Sequence, residues 1–492
     1  MIQLLLLLAC TDKPLPAGGS QPDVILLSID TLRADHVGAY GYERDTTPFI
    51  DSLAERGTRF AHARSASPWT LPSHSTMLSG QLPIHHGAVD SGGGLPEDLP
   101  LIQERFQAAG YATGAAVATL FVGRRFGFAR GFDAFEDFDV TNKNNLKGTV
   151  DAEDVFKAAT DFVRGREGES VFLFLHLYDV HYPYEAPGDW EQKFDRKGTE
   201  KDLRYKNYFR YQKHPVKAEQ MAHQVAQYDE EIAYVDDQLR QLIAQFQAAG
   251  RDPLIIVTSD HGEEFGERGS WGHAHTLNPE QLRVPLIIAG PGVKTQVIEE
   301  TVGLQDLAPT LATTLGEGWA SDGLSLWRTL SANEAIPARP FLSDTSRFDT
   351  NRLGLWEGDL RLDWDLSAQV LTLYADPLEA VDVAAQRPDD LERMKAQLIA
   401  QLGTPWMAEP GVVQAKEAAL FAGGAYQGAR WESTENAGFA VIPVDASVKH
   451  GDLPWVNAGQ ATGPVVHTGT QASSVGLTEA EKERLRQLGY ME

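Results

Sequence analysis

The chain has 492 residues, 42% hydrophobic and 23% charged, a globular composition long enough for a large domain plus a smaller one. Its 69 acidic and 43 basic residues give a formal charge of −26, which excludes the overall basic footprint of a nucleic-acid binder. The single cysteine, Cys10, excludes an intramolecular disulfide and a thiolate metal cluster.

The first ten residues, MIQLLLLLAC, form an apolar run far short of the roughly 20 residues that span a bilayer. The run suits the core of an export signal, although no Lys or Arg precedes it. Leu7-Leu8-Ala9-Cys10 resembles a bacterial lipoprotein box, which implies a lipid on Cys10 and an exported protein at the periplasmic face or outer membrane. Residues 11–22, rich in Pro, Gly and polar side chains, read as a tether.

From residue 23 to about 330 the pattern is that of an α/β domain. Val24 to Ile29, then 171–177, 254–259 and 285–290 are short apolar runs bounded by polar turns, which predict strands buried on both faces. Between them, Ile232, Val235, Leu239, Leu242 and Phe246 recur at helical spacing. Alternating strands and helices predict a large, mostly parallel central sheet flanked by helices. Asp30, Asp179 and Asp260 each follow an apolar run, at the carboxyl ends of strands where such folds collect catalytic groups. Residues 331–403 read as a C-terminal subdomain: a small antiparallel sheet (RLGLWEGDLRLDWD, QVLTLYADP), then a helix marked by Leu391, Met394, Leu398 and Leu402. Residues 404–492 read as a surface-draped extension ending in a helix, with Thr478 and Glu481 as a capping box.

The chemistry concentrates in three segments. In TSDHGEEFGERGSWGHAH (258–275), a strand delivers Asp260 and His261 side by side, and Gly262 lets the chain turn. One carboxylate oxygen with one imidazole nitrogen suits zinc or manganese better than calcium, which prefers oxygen shells. His273 follows His261 by twelve residues, with His275 close behind. An Asp-His pair by itself is equally a loop cap or an ion pair. Asp30, in SIDTLRADHVGAYGY, is either a site carboxylate or a helix N-cap. Thr70, in SASPWTLPSHSTMLSG, places a hydroxyl at a predicted helix start, either as an N-cap or where the helix end favours an alkoxide or bound oxyanion.

Together these segments resemble the sulfatase family of the alkaline-phosphatase superfamily. IDTLRADHVGAYGY is similar to its first metal motif, TLPSHSTMLSG to its nucleophile motif and SDHGEEFGERG to its second metal motif. LRVPLIIAGPG, VGLQDLAPTLATTLG and LYADPLEAVDVAAQRPDDL also resemble family segments, in family order. The resemblance implies metal ligation by Asp30, Thr70, Asp260 and His261, and places Arg33 and His74 at the substrate. The departures are specific. The formylglycine position holds Thr70, a secondary alcohol that cannot be oxidised to an aldehyde. Thr31 stands for the second Asp of the family's Asp pair, His261 for an Asn, and His74 for an Arg. These changes resemble the single-metal phosphoethanolamine and phosphoglycerol transferases, whose His-x-x-x-x-His pair is matched by His176 and His181 and whose later histidine is matched by His273.

The expectation is a metal-dependent ester hydrolase in which Thr70 attacks sulfur or phosphorus and His181 or His273 protonates the leaving oxygen. His176, Asp179, His181, His273 and His275 are candidates for a second ion or for substrate contacts. The substrate is expected to be a sulfated or phosphorylated glycan, lipid or small molecule. Thr chemistry favours phosphorus and family membership favours sulfate. A membrane phospho-group transferase and a non-catalytic sulfatase-like binder are the alternatives.

Overall fold

The computed structural model describes residues 15–401 apart from 90, 92, 139–149, 195–215, 346, 348–351, 366–367, 369 and 376–380, and beyond them only short backbone strands between 411 and 474. Cys10, Leu402, Thr478 and Glu481 lie outside the described residues.

The central sheet contains β1 (Val24–Ile29), β2 (Thr58–Arg64), β3 (Ala112–Val117), β4 (Ala134–Asp137), β5 (Val171–Leu177), β6 (Leu254–Thr258), β7 (Arg283–Val284), β8 (Leu286–Ala289) and β9 (Gln296–Gly303). Its order is β7-β2-β8-β6-β1-β5-β3-β4, with β9 alongside β2. β1 lies between β5 and β6, parallel to both, and only β7 and β8 run against their neighbours. The sheet is therefore mixed but mostly parallel, as the alternating pattern predicts.

The unbroken apolar run of β1 has a direct cause. Val24 and Leu26 pack into one core, Ile25, Leu27 and Ile29 into the other, so neither face meets water. Each such side chain contributes about 1.5–3 kcal/mol of burial free energy. Helices α1 (Pro48–Arg56), α4 (Ala152–Arg164) and α5 (Ala218–Ala248) cover one face; α2 (Thr70–Ser79), α3 (Ile102–Ala108) and α6 (Leu307–Thr314) cover the other. On α5 the predicted stripe Ile232, Val235, Leu239, Leu242 and Phe246 is buried throughout. Residues at the end of the predicted tether lie against this domain: Leu15 is buried, and Arg251 donates to the carbonyls of Pro16 and Ala17 while pairing with Asp23 at 2.9 Å.

The smaller sheet is antiparallel, ordered β10 (Phe341–Thr345), β11 (Arg352–Glu357), β12 (Leu360–Asp365), β13 (Val370–Tyr374). Helix α7 (Pro388–Gln401) buries Met394 and Leu398 against it. β10 holds the two subdomains together. Ser343 Oγ donates to the Ser65 carbonyl (3.1 Å), Asp344 N to the Ala66 carbonyl (2.9 Å) and Thr345 Oγ1 to the Ala274 carbonyl (3.2 Å).

Candidate metal centre and active site

Asp30 continues the sheet one residue beyond β1, its amide donating to the Leu177 carbonyl at 2.9 Å. The next residue, Thr31, takes φ = 57°, a left-handed conformation costly for a β-branched side chain. Three contacts hold it: its Oγ1 donates to the Val180 carbonyl (2.8 Å), its amide to Asp260 Oδ1 (3.3 Å), and its carbonyl accepts from Tyr228 (2.8 Å). The chain thus turns away at once and leaves the Asp30 carboxylate at the strand end.

Asp260 and His261 follow β6, the neighbour of β1. Asp260 Oδ1 accepts the Thr31 and His261 amides, and His261 Nδ1 donates to the Gly262 carbonyl at 2.9 Å. Asp260 Oδ2 and His261 Nε2 are left 3.4 Å apart, with Asp30 Oδ1 3.7 Å from the same nitrogen. Gly262 is required by crowding and not by a turn: a Cβ there would collide with the Glu280 carbonyl oxygen.

Asp30, Asp260 and His261 each offer a ligand atom, all within 4.8 Å of one another. Both Asp30 oxygens, Asp260 Oδ2 and His261 Nε2 are buried without a hydrogen-bond partner among the described residues. Burial raises the Asp30 carboxyl well above its usual range, and the nearby Asp260 adds to this. Burial also works against ionised Asp260, but His261 beside it, whose amide donates to Oδ1, outweighs this and lowers its pKa. Two carboxylates and one imidazole with unsatisfied buried donor atoms fit a divalent cation. This triad is the one such group among the described residues, and His176, Asp179, His181, His273 and His275 are not part of it.

Thr70 is the first residue of α2, while extended Trp69 holds the N-cap position. Thr70 Oγ1 is buried and makes no hydrogen bond among the described residues, so it does not act as an N-cap. The helix it begins grips the metal loop: Ser73 Oγ donates to the Asp260 carbonyl (2.7 Å), and His74 Nδ1 lies 3.5 Å from Asp260 Oδ2. His74, expected at the substrate, is fully buried, as are Thr70 and Asp260. Its ring nitrogens meet the Thr70 carbonyl (2.8 Å) and Ser28 Oγ (2.9 Å), and burial pushes its pKa down to about 3. His176, opposite Ser28 on β5, sits beneath Asp30 with Nε2 3.3 Å from Oδ2 and is kept neutral by burial.

The loop histidines differ among themselves. His181 Nδ1 donates to the Tyr182 carbonyl (2.7 Å) and His273 Nδ1 to Glu263 Oε1 (3.0 Å). The His273 ring lies 4.6 Å from that of His261 and 5.0 Å from that of His181, so these three converge. Burial keeps both loop imidazoles neutral, His181 at about 3 and His273 well below the usual value. His275 turns the other way, between Ser270 Oγ (2.6 Å) and Glu264 Oε2 (3.4 Å). Asp179 binds the Ala152 amide at the start of α4 and does not join the site, and burial pushes its carboxyl up to about 7. Arg33, expected at the substrate, folds back onto Asp35 (2.7 Å), Glu267 (2.5 Å) and the Glu263 carbonyl (2.9 Å), bracing two loops. Glu263 and Arg347 were not anticipated. The Arg347 guanidinium lies 3.9 Å from the Trp69 ring centroid, bringing a cation from the C-terminal subdomain beside Thr70.

Residues 22–317 match the sulfatase family. A choline-sulfatase of Rhizobium meliloti is 24% identical over 429 residues, covering 74% of this chain and 82% of its own. A Δ4,5-hexuronate-2-O-sulfatase of Bacteroides thetaiotaomicron is 25% identical over 369 residues, covering 65% and 74%. In structure, a phosphonate monoester hydrolase from Silicibacter pomeroyi superposes with a TM-score of 0.64 at 22% identity, covering 77% of this chain and 95% of that one. A family match over most of the chain, on the fold just described, makes this protein an ester hydrolase belonging to the sulfatase family.

Proposed function

We propose that the protein hydrolyses anionic monoesters with Thr70 as an unmodified nucleophile, and that phosphonate or phosphate esters are its preferred class. The observation that carries this reading is the buried, unpartnered Thr70 Oγ1 at the start of α2, whose next turn grips Asp260. The Thr70 hydroxyl gives its proton to Nε2 of His273 or His181, its oxygen bonds to phosphorus, the bond to the leaving oxygen breaks, and that oxygen takes the relayed proton. Water then opens the threonyl ester at phosphorus, returning a proton to Thr70 Oγ1.

Asp30, Asp260 and His261, with Thr70, would hold one divalent ion, zinc or manganese ahead of calcium on their donor set. Such an ion supplies charge neutralisation at the transferred group. A threonyl sulfate has no hemiacetal route for expelling sulfate and resists attack at sulfur, whereas a threonyl phosphonate can be opened by water. The phosphonate monoester hydrolase neighbour supports this preference. Sulfate esters are the second reading, favoured by the choline and hexuronate sulfatases among the relatives. The substrate would be a glycan, lipid or small molecule bearing the ester. The Leu7-Leu8-Ala9-Cys10 segment supports tethering to a membrane by a lipid on Cys10, checked by fractionating Cys10→Ala.

The test is side-by-side turnover of nitrophenyl phosphonate, phosphate, phosphodiester and sulfate, with bound metal measured on the same sample. Thr70→Ala is expected to abolish turnover of whichever ester is best while keeping the metal. Full activity in that variant would remove Thr70 as the nucleophile, and cleavage of sulfate alone would reverse the phosphorus preference.

A further inference from the structure

Glu263 lies two residues beyond His261, fully buried, and neither the ligand set nor the proposed displacement uses it. Its two carboxylate oxygens accept from two different loops. Oε1 takes the Nδ1–H of His273 at 3.0 Å, and Oε2 takes the Tyr184 hydroxyl. Its backbone carbonyl accepts from Arg33 Nη1 at 2.9 Å. Glu263 therefore joins the segment after β1, the His181–Tyr184 loop and the loop bearing His273.

Each contact has a directional consequence. A carboxylate only accepts, so the hydrogen between it and His273 belongs to Nδ1, and Nε2 is the atom turned toward the neighbouring imidazoles. The His273 ring itself packs 4.6 Å from the His261 ring and 5.0 Å from the His181 ring, centroid to centroid, and is buried. Ala274, next to His273, takes φ = 71°, and its backbone is held there by the Pro68 carbonyl (3.0 Å) and the Thr345 hydroxyl (3.2 Å).

We propose that Glu263 is a positioning residue. It fixes the ring orientation and tautomer of His273 so that the unprotonated Nε2 can take the Thr70 hydroxyl proton and pass it to the leaving oxygen of the ester, and it ties the Tyr184 loop to that same placement. This rests on the hydrolysis reading above for the step that His273 assists, whereas the tautomer it sets can be observed without any turnover.

The experiment uses the full chain with its bound metal. Wild type, Glu263→Gln and Glu263→Ala are compared on aryl phosphonate, phosphate and sulfate monoesters spanning nitrophenol to phenol leaving groups. Nitrogen-15 NMR of the imidazoles is recorded in parallel. Glu263→Ala is expected to keep its metal, to lose about 3-fold in kcat on nitrophenyl esters and about 100-fold on phenyl esters, with KM little changed, because proton donation matters most for the poorer leaving group. Glu263→Gln, which retains a carbonyl acceptor for Nδ1, is expected to fall between. The protected Nδ1–H signal of His273, found by its loss in His273→Ala, is expected to be present in wild type and absent in Glu263→Ala. An equal loss for every leaving group, or an Nδ1–H signal that survives in Glu263→Ala, overturns the proposal. If wild type cleaves none of these esters, the hydrolysis reading falls, and the NMR comparison still decides whether Glu263 sets the tautomer.

Discussion

The strand ends and the loops of the site are built on opposite principles. Asp30, Asp260 and His261 at the strand ends, and Thr70 at the start of α2, leave buried polar atoms without partners among the described residues. On the loops, His181, His273, His275 and Glu263 direct theirs onto carbonyls, hydroxyls or carboxylates. An unsatisfied buried polar atom costs about 1–3 kcal/mol, so the first group is where the fold awaits charge from outside. A satisfied imidazole is already oriented. On the proposed reading, the first group would provide affinity for ion and ester, and the loops would provide direction.

The contrast can be tested in order of expected effect. The largest belongs to the first group: Thr70→Ala is expected to lower kcat by at least about 10³-fold with metal retained, and Thr70→Ser to keep substantial activity, measured on the best nitrophenyl ester. Asp260→Asn, or chelation of wild type, is expected to remove the metal and lower the melting temperature. A ligand present at about 100 times its Kd contributes about 2.7 kcal/mol to stability, readable by calorimetry with and without added ion. Arg33→Leu should behave as a bracing variant. Its guanidinium is buried but Asp35 and Glu267 are partly exposed, so a loss of about 1–2 kcal/mol is expected with KM nearly unchanged. A raised KM at constant melting temperature would put Arg33 at the substrate after all.

A pH-dependent test concerns Asp344, whose carboxyl burial pushes up to about 8. The folded state then binds a proton that the unfolded chain releases near pH 4, so this group's contribution to stability is present below that pH and is lost as pH rises toward 8. Asp344→Asn is expected to lose this dependence and to gain melting temperature over wild type at pH 8 more than at pH 4. Equal differences at both pH values would remove Asp344 as the cause.

The parts legible in the sequence were those encoded by neighbours along the chain. Apolar runs ending in Asp30 and Asp260 announced strands with acids at their carboxyl ends, and the stripe on α5 announced its buried face. What was illegible depends on contacts between distant segments. β10, read as FLSDT, has no alternation to advertise it and becomes a strand by pairing with β11. The reversal of β8 follows from its neighbours, since an apolar run does not encode direction. Arg33 and His74 lie inside motif-like segments, yet one folds back on Asp35 and the other is sealed between Thr70 and Ser28. Glu263 was hidden in an Glu-Glu pair, one of which orients His273 while the other meets His275.

The family match ends at residue 317, whereas the strand that fastens the Ser65–Ala66 and Ala274 backbone begins at Phe341. A fragment trimmed to the family boundary would keep every candidate catalytic side chain and lose the splint across the two loops that present Thr70 and His273. Substitutions in β10 are therefore expected to shift the loops that present Thr70 and His273 without altering either side chain.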